Sequence, residues 1–122
     1  TSGITLGHRR LAILDLSENG AQPMHFNNRY TIVFNGEIYN YIELRDQLKK
    51  CGYEFKSNSD TEVILALYDL KKEECLDDLE GMFAFALWDE EQQCLFCARD
   101  RFGEKPFYYF FVFIYFILEF QF

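Results

Sequence analysis

Apolar and polar positions fall into blocks along this chain, and each block has a readable period. Tyr30 to Phe34 is an apolar run of β-branched and aromatic residues, the make-up of a strand, and it stops at Asn35-Gly36. Asn28-Arg29 reads as the turn that introduces it. A helix is predicted next, with Asn40 as its N-cap and Glu43 at the capping-box distance. Tyr41, Leu44 and Leu48 recur at i, i+3 and i+7 and define one apolar face. Lys49 and Lys50 suit the negative end of that helix, and Gly52 suits the residue that leaves it. Ser59 and Glu62 repeat the capping-box spacing for a second helix, whose stripe is Val63, Ile64, Leu67 and Leu70. Asp60 falls in its first turn, where unpaired backbone N–H groups stabilise a carboxylate. Lys71 and Lys72 close it.

Strand patterns flank this helical pair. Ile4-Thr5-Leu6 and Leu11 to Leu14 are short candidates, followed by turn material from Ser17 to Gly20. Pro23 keeps Gln22 extended. Tyr53 to Phe55 is expected as a very short strand, and Leu76 to Leu79 as a helical turn ending at Gly81. Met82 to Trp88 shows no apolar–polar alternation and reads as a strand buried on both faces. Asp89 to Gln93 reverses the chain, and Cys94 to Ala98 returns, ending in Arg99-Asp100. Such a hairpin needs a larger, covered sheet. From Phe107 to Leu118 there are 12 consecutive apolar or aromatic residues. A membrane helix needs about 20, so this run reads as strands. Two adjacent helices between blocks of strands argue against a doubly wound sheet. The expected class is α+β, with helices packed outside two sheets.

Composition narrows the picture further. A chain of 122 residues is one domain or part of one, and its apolar half, with 14 Phe, excludes disorder. The formal charge of -8, with 12 scattered basic residues, argues against nucleic acid and against an anionic membrane surface. Cys51, Cys75, Cys94 and Cys97 are expected to be reduced, ordinary core or half-buried residues. Cys94 and Cys97 lie three apart on a predicted strand, so they point to opposite faces and suit neither a redox pair nor a zinc site. His8 and His25 add no metal site.

The ordered set of local motifs resembles a known family. Gly7-His8-Arg9-Arg10-Leu11-Ala12-Ile13, Gln22-Pro23-Met24, Asn35-Gly36-Glu37-Ile38-Tyr39-Asn40 and Ser59-Asp60-Thr61-Glu62-Val63 come first. Leu79-Glu80-Gly81-Met82-Phe83-Ala84-Phe85-Ala86 and Arg99-Asp100-Arg101-Phe102-Gly103-Glu104-Lys105-Pro106 follow. Together they resemble the class II glutamine amidotransferase domain of the glutamine-hydrolysing asparagine synthetase family, up to about Tyr109. The resemblance implies an N-terminal-nucleophile αββα sandwich. It also implies glutamine as substrate, an N-terminal Cys thiol as nucleophile with its own α-amino group as base, and a thioester intermediate. Ammonia would pass through a tunnel to an ATP-dependent domain that amidates aspartate. ATP and Mg belong to that synthetase domain, and no cofactor or metal is expected in this one. A homodimer and a cytoplasmic location complete the expectation.

Carried over by motif, Asn35 (side-chain amide) and Gly36 (backbone N–H) would form the oxyanion hole. Arg10 would bind the glutamine α-carboxylate, and Glu37 and Asp60 its α-amino group. These residue types suit the task independently: a guanidinium fork matches a carboxylate, and two donors can meet a developing oxyanion. The plain readings stand beside these roles. Asn35-Gly36 alone is a turn, Asp60 a helix-start acid and Arg10 a surface charge. Arg99 and Asp100 read as structural, tying the sheet rim by ion pairs.

The pattern also departs from the family. The nucleophile and an Arg-Gly-Pro-Asp segment would precede Gly7, so residues 1–122 are expected to be an incomplete, inactive piece of the domain, without the synthetase domain. Thr1 is a terminal hydroxyl nucleophile in principle, but it aligns far from the required strand. Cys51 follows the C-terminal end of a helix and is no replacement for the nucleophile. Other amidotransferases, acting on a sugar or a cell-surface precursor, remain alternatives, as does a non-catalytic binding or scaffold domain.

Overall fold

The computed structural model describes residues 4–7, 18–112 and 115–119. Arg10, with Thr1, His8, Arg9 and the Leu11 to Leu14 candidate strand, lies outside them.

A four-stranded antiparallel sheet carries the described part of the chain, in the order β1-β2-β3-β4. Its strands are β1 (Met24–Phe26), β2 (Tyr30–Ile38), β3 (Gly81–Asp89) and β4 (Cys94–Arg99). The short β1 was not foreseen. It joins β2 through a tight turn in which Asn27 and Asn28 take φ of 53° and 51° and Arg29 N–H donates to Phe26 O at 3.1 Å. Two consecutive positive-φ residues give a turn whose twist matches a hairpin, and Asn tolerates that backbone. The reversal therefore sits at Asn27-Asn28, one residue before the expected Asn28-Arg29.

Alternate residues of the strands point to one face. Tyr30, Ile32, Phe34 and Ile38 of β2 join Phe83, Phe85 and Leu87 of β3 in the main core, with Phe96 and Ala98 of β4 packed against it. Helices α1 (Tyr41–Lys50) and α2 (Asp60–Lys71) supply Leu44, Leu48, Val63, Ile64 and Leu67 to the same core. On the other face Val33, Ala84 and Ala86 are buried as well. The absence of alternation in β3 thus reflects burial on both faces. A second sheet pairs β5 (Tyr108–Val112) with β6 (Tyr115–Glu119), so the apolar tail forms strands as its composition suggested.

Both helix starts are real, but neither is a capping box. Asn40 makes no side-chain cap; its amide donates to Asp78 O at 2.8 Å and its carbonyl accepts from Glu80 N–H at 3.1 Å. It ties α1 to the segment leading into β3. Ser59 does cap α2, accepting from Thr61 N–H at 3.1 Å. Glu62 instead turns back to Lys56 N–H, Ser57 N–H and the Ser57 hydroxyl, at 2.9, 2.8 and 2.6 Å. Residues Asp60 to Tyr68 of α2 are all buried, and only Leu70 of the predicted stripe is exposed. Tyr53 to Phe55 forms no strand. Tyr53 is anchored by its hydroxyl, which donates to Asp69 Oδ2 at 2.7 Å, while Tyr30 donates to Oδ1 at 2.8 Å.

Candidate functional site

Strand β2 does not stop at Asn35-Gly36. It continues through both residues to Ile38, with Asn35 opposite Ala84, Gly36 opposite Phe83 and Ile38 opposite Gly81. Gly36 makes this possible. Its φ is 138°, and a Cβ there would lie 2.0 Å from Met82 O and 2.7 Å from Phe83 Cα. Only a residue without a side chain lets β3 come this close. The sequence signal of a chain break was therefore a signal of close strand contact.

The ladder fixes which way Gly36 presents its N–H. In an antiparallel pair, alternate residues turn both peptide groups toward or away from the neighbour. Phe83 gives its N–H to Asp100 Oδ2 at 3.2 Å and its C=O to Asp100 N–H at 2.8 Å, so it faces away from β2. Its partner Gly36 correspondingly turns its N–H away from β3. On that same edge the Phe34 N–H donates to Gln22 Oε1 at 2.6 Å, and the Ile38 N–H to Asp60 Oδ2 at 3.0 Å. The edge thus carries a row of three N–H groups, with Gly36 between one held by Gln22 and one held by Asp60. Successive members of the row are roughly 7 Å apart, two strand residues.

Asp60 is buried at 5% exposure. Burial pushes its carboxyl above the ordinary range, against the backbone N–H bonds from Ile38 and the helix start, and the nearby negative Glu37 adds to the rise. A cation at this point would relieve both acids. Glu37 itself is exposed, next to Gly36. Asn35 is buried on β2, on the face away from the helices.

The structure thus brings Asn35, Gly36, Glu37 and Asp60 together, while Arg10 lies outside the described residues. Gln22, from the Gln22-Pro23-Met24 motif, lies on the same edge through its bond to the Phe34 N–H. Burial pushes the Cys75 thiol up to about 12 and the Cys97 thiol up to about 11, while Cys51 and Cys94 are exposed. Among the described residues, no group of three or more His, Cys, Asp or Glu side chains is placed to hold a metal ion. Among the same residues, no helix is long and apolar enough to cross a membrane.

An antiparallel sheet with two helices on one face, together with a second antiparallel pair, is a partial α+β sandwich of the N-terminal-nucleophile type. The glutamine phosphoribosylpyrophosphate amidotransferase of B. subtilis, solved with ADP and GMP, matches it with a TM-score of 0.75 at 25% identity, over 91% of this chain and 26% of that one. The family model described as a glutamine amidotransferase domain matches residues 1–114, and the chain belongs to that family. It is 53% identical over 107 residues to asparagine synthetase (glutamine-hydrolyzing) 1 of Bacillus subtilis, and 50% identical over 109 residues to synthetase 3 of the same organism. Each match covers 87% of this chain but only 17% and 18% of the relatives, so the chain spans less than a fifth of their length.

Proposed function

We propose that this chain is the glutamine-binding part of a glutaminase domain that supplies ammonia to an ATP-dependent synthetase domain of the same polypeptide, with aspartate as acceptor. The observation that carries the reading is the Gly36 N–H, turned to the edge of β2 away from β3, between Gln22 and Asp60. A donor there meets the oxygen of a side-chain amide as it becomes an oxyanion, and the buried Asn35 beside it supplies the second donor. Roughly two strand residues away, about 7 Å, Asp60 meets the α-ammonium, on the scale of one extended glutamine side chain. Glu37 adds negative charge at the same end. The Arg10 guanidinium is assigned the α-carboxylate.

Asn35 and Gly36 stabilise charge, and Asp60 and Glu37 bind and orient; none of the four is asked to attack. In this reading a terminal Cys thiol supplies the nucleophile, and ATP with Mg activates the acceptor in the synthetase domain. The sequence-related relatives carry the name asparagine synthetase, which supports aspartate as the acceptor. The structural neighbour is named for a different acceptor, which keeps amidation of another acceptor as the second reading.

The test uses the full-length protein with glutamine labelled with heavy nitrogen at its amide, plus ATP, Mg and aspartate. Labelled asparagine and unlabelled glutamate are expected. Labelled free ammonia without asparagine would keep the glutaminase and overturn the acceptor. No glutamate would overturn both.

A further inference from the structure

Asp100 is buried, at 6% exposure, and the proposed chemistry does not use it. Among the described residues it makes no ion pair. Its carboxylate instead takes four backbone N–H groups: Phe102 and Glu104 on Oδ1 at 3.1 and 2.9 Å, Lys105 and Phe83 on Oδ2 at 3.1 and 3.2 Å. Three of these donors belong to the loop that follows β4. The fourth is in β3, and the Asp100 N–H returns to Phe83 O at 2.8 Å. One residue therefore holds both peptide groups of Phe83.

The loop has its own brace. Arg99 donates from Nε to Lys105 O at 2.6 Å and from Nη2 to Gly103 O at 2.5 Å. The reach of Asp100 to Phe83 is additional to what shapes the loop. Across β3, Phe83 is the register partner of Gly36, at the level where the two backbones leave no room for a Cβ. In a contact that tight, the place of Phe83 sets the place of Gly36. Burial alone would raise the Asp100 carboxyl, but the N–H bonds from Glu104, Lys105, Phe83 and Phe102 outweigh it and hold it below the ordinary range. Asp100 is thus a fixed anion at neutral pH and does not exchange protons there.

We propose that Asp100 is a positioning residue for glutamine hydrolysis: by gripping both peptide groups of Phe83 it holds β3 against Gly36 and fixes the aim of the Gly36 N–H. The proposal rests on reading that N–H as an oxyanion donor. Asp100 touches no substrate and acts through one strand.

The test compares Asp100→Asn, Asp100→Ser and Arg99→Met in the full-length protein. Glutamine hydrolysis is measured together with inhibition by L-glutamate γ-semialdehyde, whose aldehyde carbon can be held as a tetrahedral adduct. Small misplacements of catalytic groups cost up to about 100-fold. A folded Asp100 variant is therefore expected to lose about 10- to 100-fold in kcat and in aldehyde affinity, with the KM for glutamine little changed. Arg99→Met, which loosens the same loop without touching Phe83, is expected to lower thermal stability and leave kcat and aldehyde affinity in place. If wild type hydrolyses glutamine and the Asp100 variants keep its kcat and aldehyde affinity, the positioning role is overturned and the site reading stands. If wild type does not hydrolyse glutamine, both fall.

Discussion

Asp60 Oδ2 accepts the backbone N–H of Ile38 at 3.0 Å, so the first residue of α2 grips β2 two residues beyond Gly36. The bond joins the two segments that a free amino acid would have to bridge, and it leaves a buried carboxylate at the edge of the sheet.

Asp60→Asn tests the charge while keeping an acceptor for Ile38. Hydrogen bonds to charged groups contribute about 1.5–3 kcal/mol, so kcat/KM for glutamine in the full-length protein is expected to fall about 10- to 100-fold, mainly through KM. Stability moves the other way. Burial raises the folded-state pKa of Asp60 above its unfolded value, so the folded state holds this proton more tightly. The wild type therefore loses stability as pH rises from the ordinary carboxylate range through the raised pKa, and Asn does not. Urea denaturation across that window should show the variant gaining relative to wild type as pH rises. A pH-independent difference would contradict the assignment.

Gly36→Ala tests the close approach. A Cβ at 2.0 Å from Met82 O, on a backbone with φ of 138°, forces β3 and β2 apart. Overpacking of this kind costs about 1–3 kcal/mol, and the displaced N–H should abolish measurable glutamine hydrolysis. Gly52 is a matched control, because its φ is 96° but nothing lies within 4 Å of its Cβ position. Gly52→Ala should cost about 1–2 kcal/mol from the backbone alone and leave hydrolysis unchanged. Thermal melts and steady-state rates on the two variants check both halves.

Arg29 and Asp89 predict acid sensitivity. The guanidinium donates to both carboxylate oxygens at 2.8 Å, and Asp89 is fully buried at the end of β3. The Arg29 hydrogen bond holds the Asp89 carboxyl below its ordinary range, outweighing burial. Stability from this pair is present above the unfolded carboxylate pKa and is lost as pH falls through the folded one. Arg29→Met should lower stability, because it leaves the buried Asp89 carboxylate without its guanidinium partner. Chemical denaturation should show that deficit at neutral pH and a smaller one in acid.

Local chemistry was legible where it is settled by neighbours in sequence. The Ser59 cap, the Leu44 and Leu48 face and the β3–β4 hairpin follow from spacing alone. What the sequence could not reveal is where a polar group spends its hydrogen bonds across the fold. Asn40 and Glu62 sit at capping-box spacing but are used by Asp78, Glu80, Lys56 and Ser57. Asn35-Gly36 carries turn chemistry, yet the φ freedom of Gly36 serves a strand pressed against β3. Asp100 was expected to tie the sheet rim by an ion pair, and no neighbour in sequence pointed to its bond with Phe83. The proposed site residues come from family motifs; the structure adds how Asn35, Gly36, Glu37 and Asp60 lie together on β2 and the start of α2.

Asn35 and Gly36 are proposed to stabilise an oxyanion during glutamine hydrolysis. The most direct measurement is kcat for glutamine hydrolysis by full-length Asn35→Ala, with ammonia-dependent synthesis as the control for folding. Loss of one oxyanion donor costs about 10²–10³ in kcat, so a fall of that size is predicted, with KM for glutamine little changed and the ammonia-dependent reaction intact. An unchanged kcat in the folded variant would contradict the account.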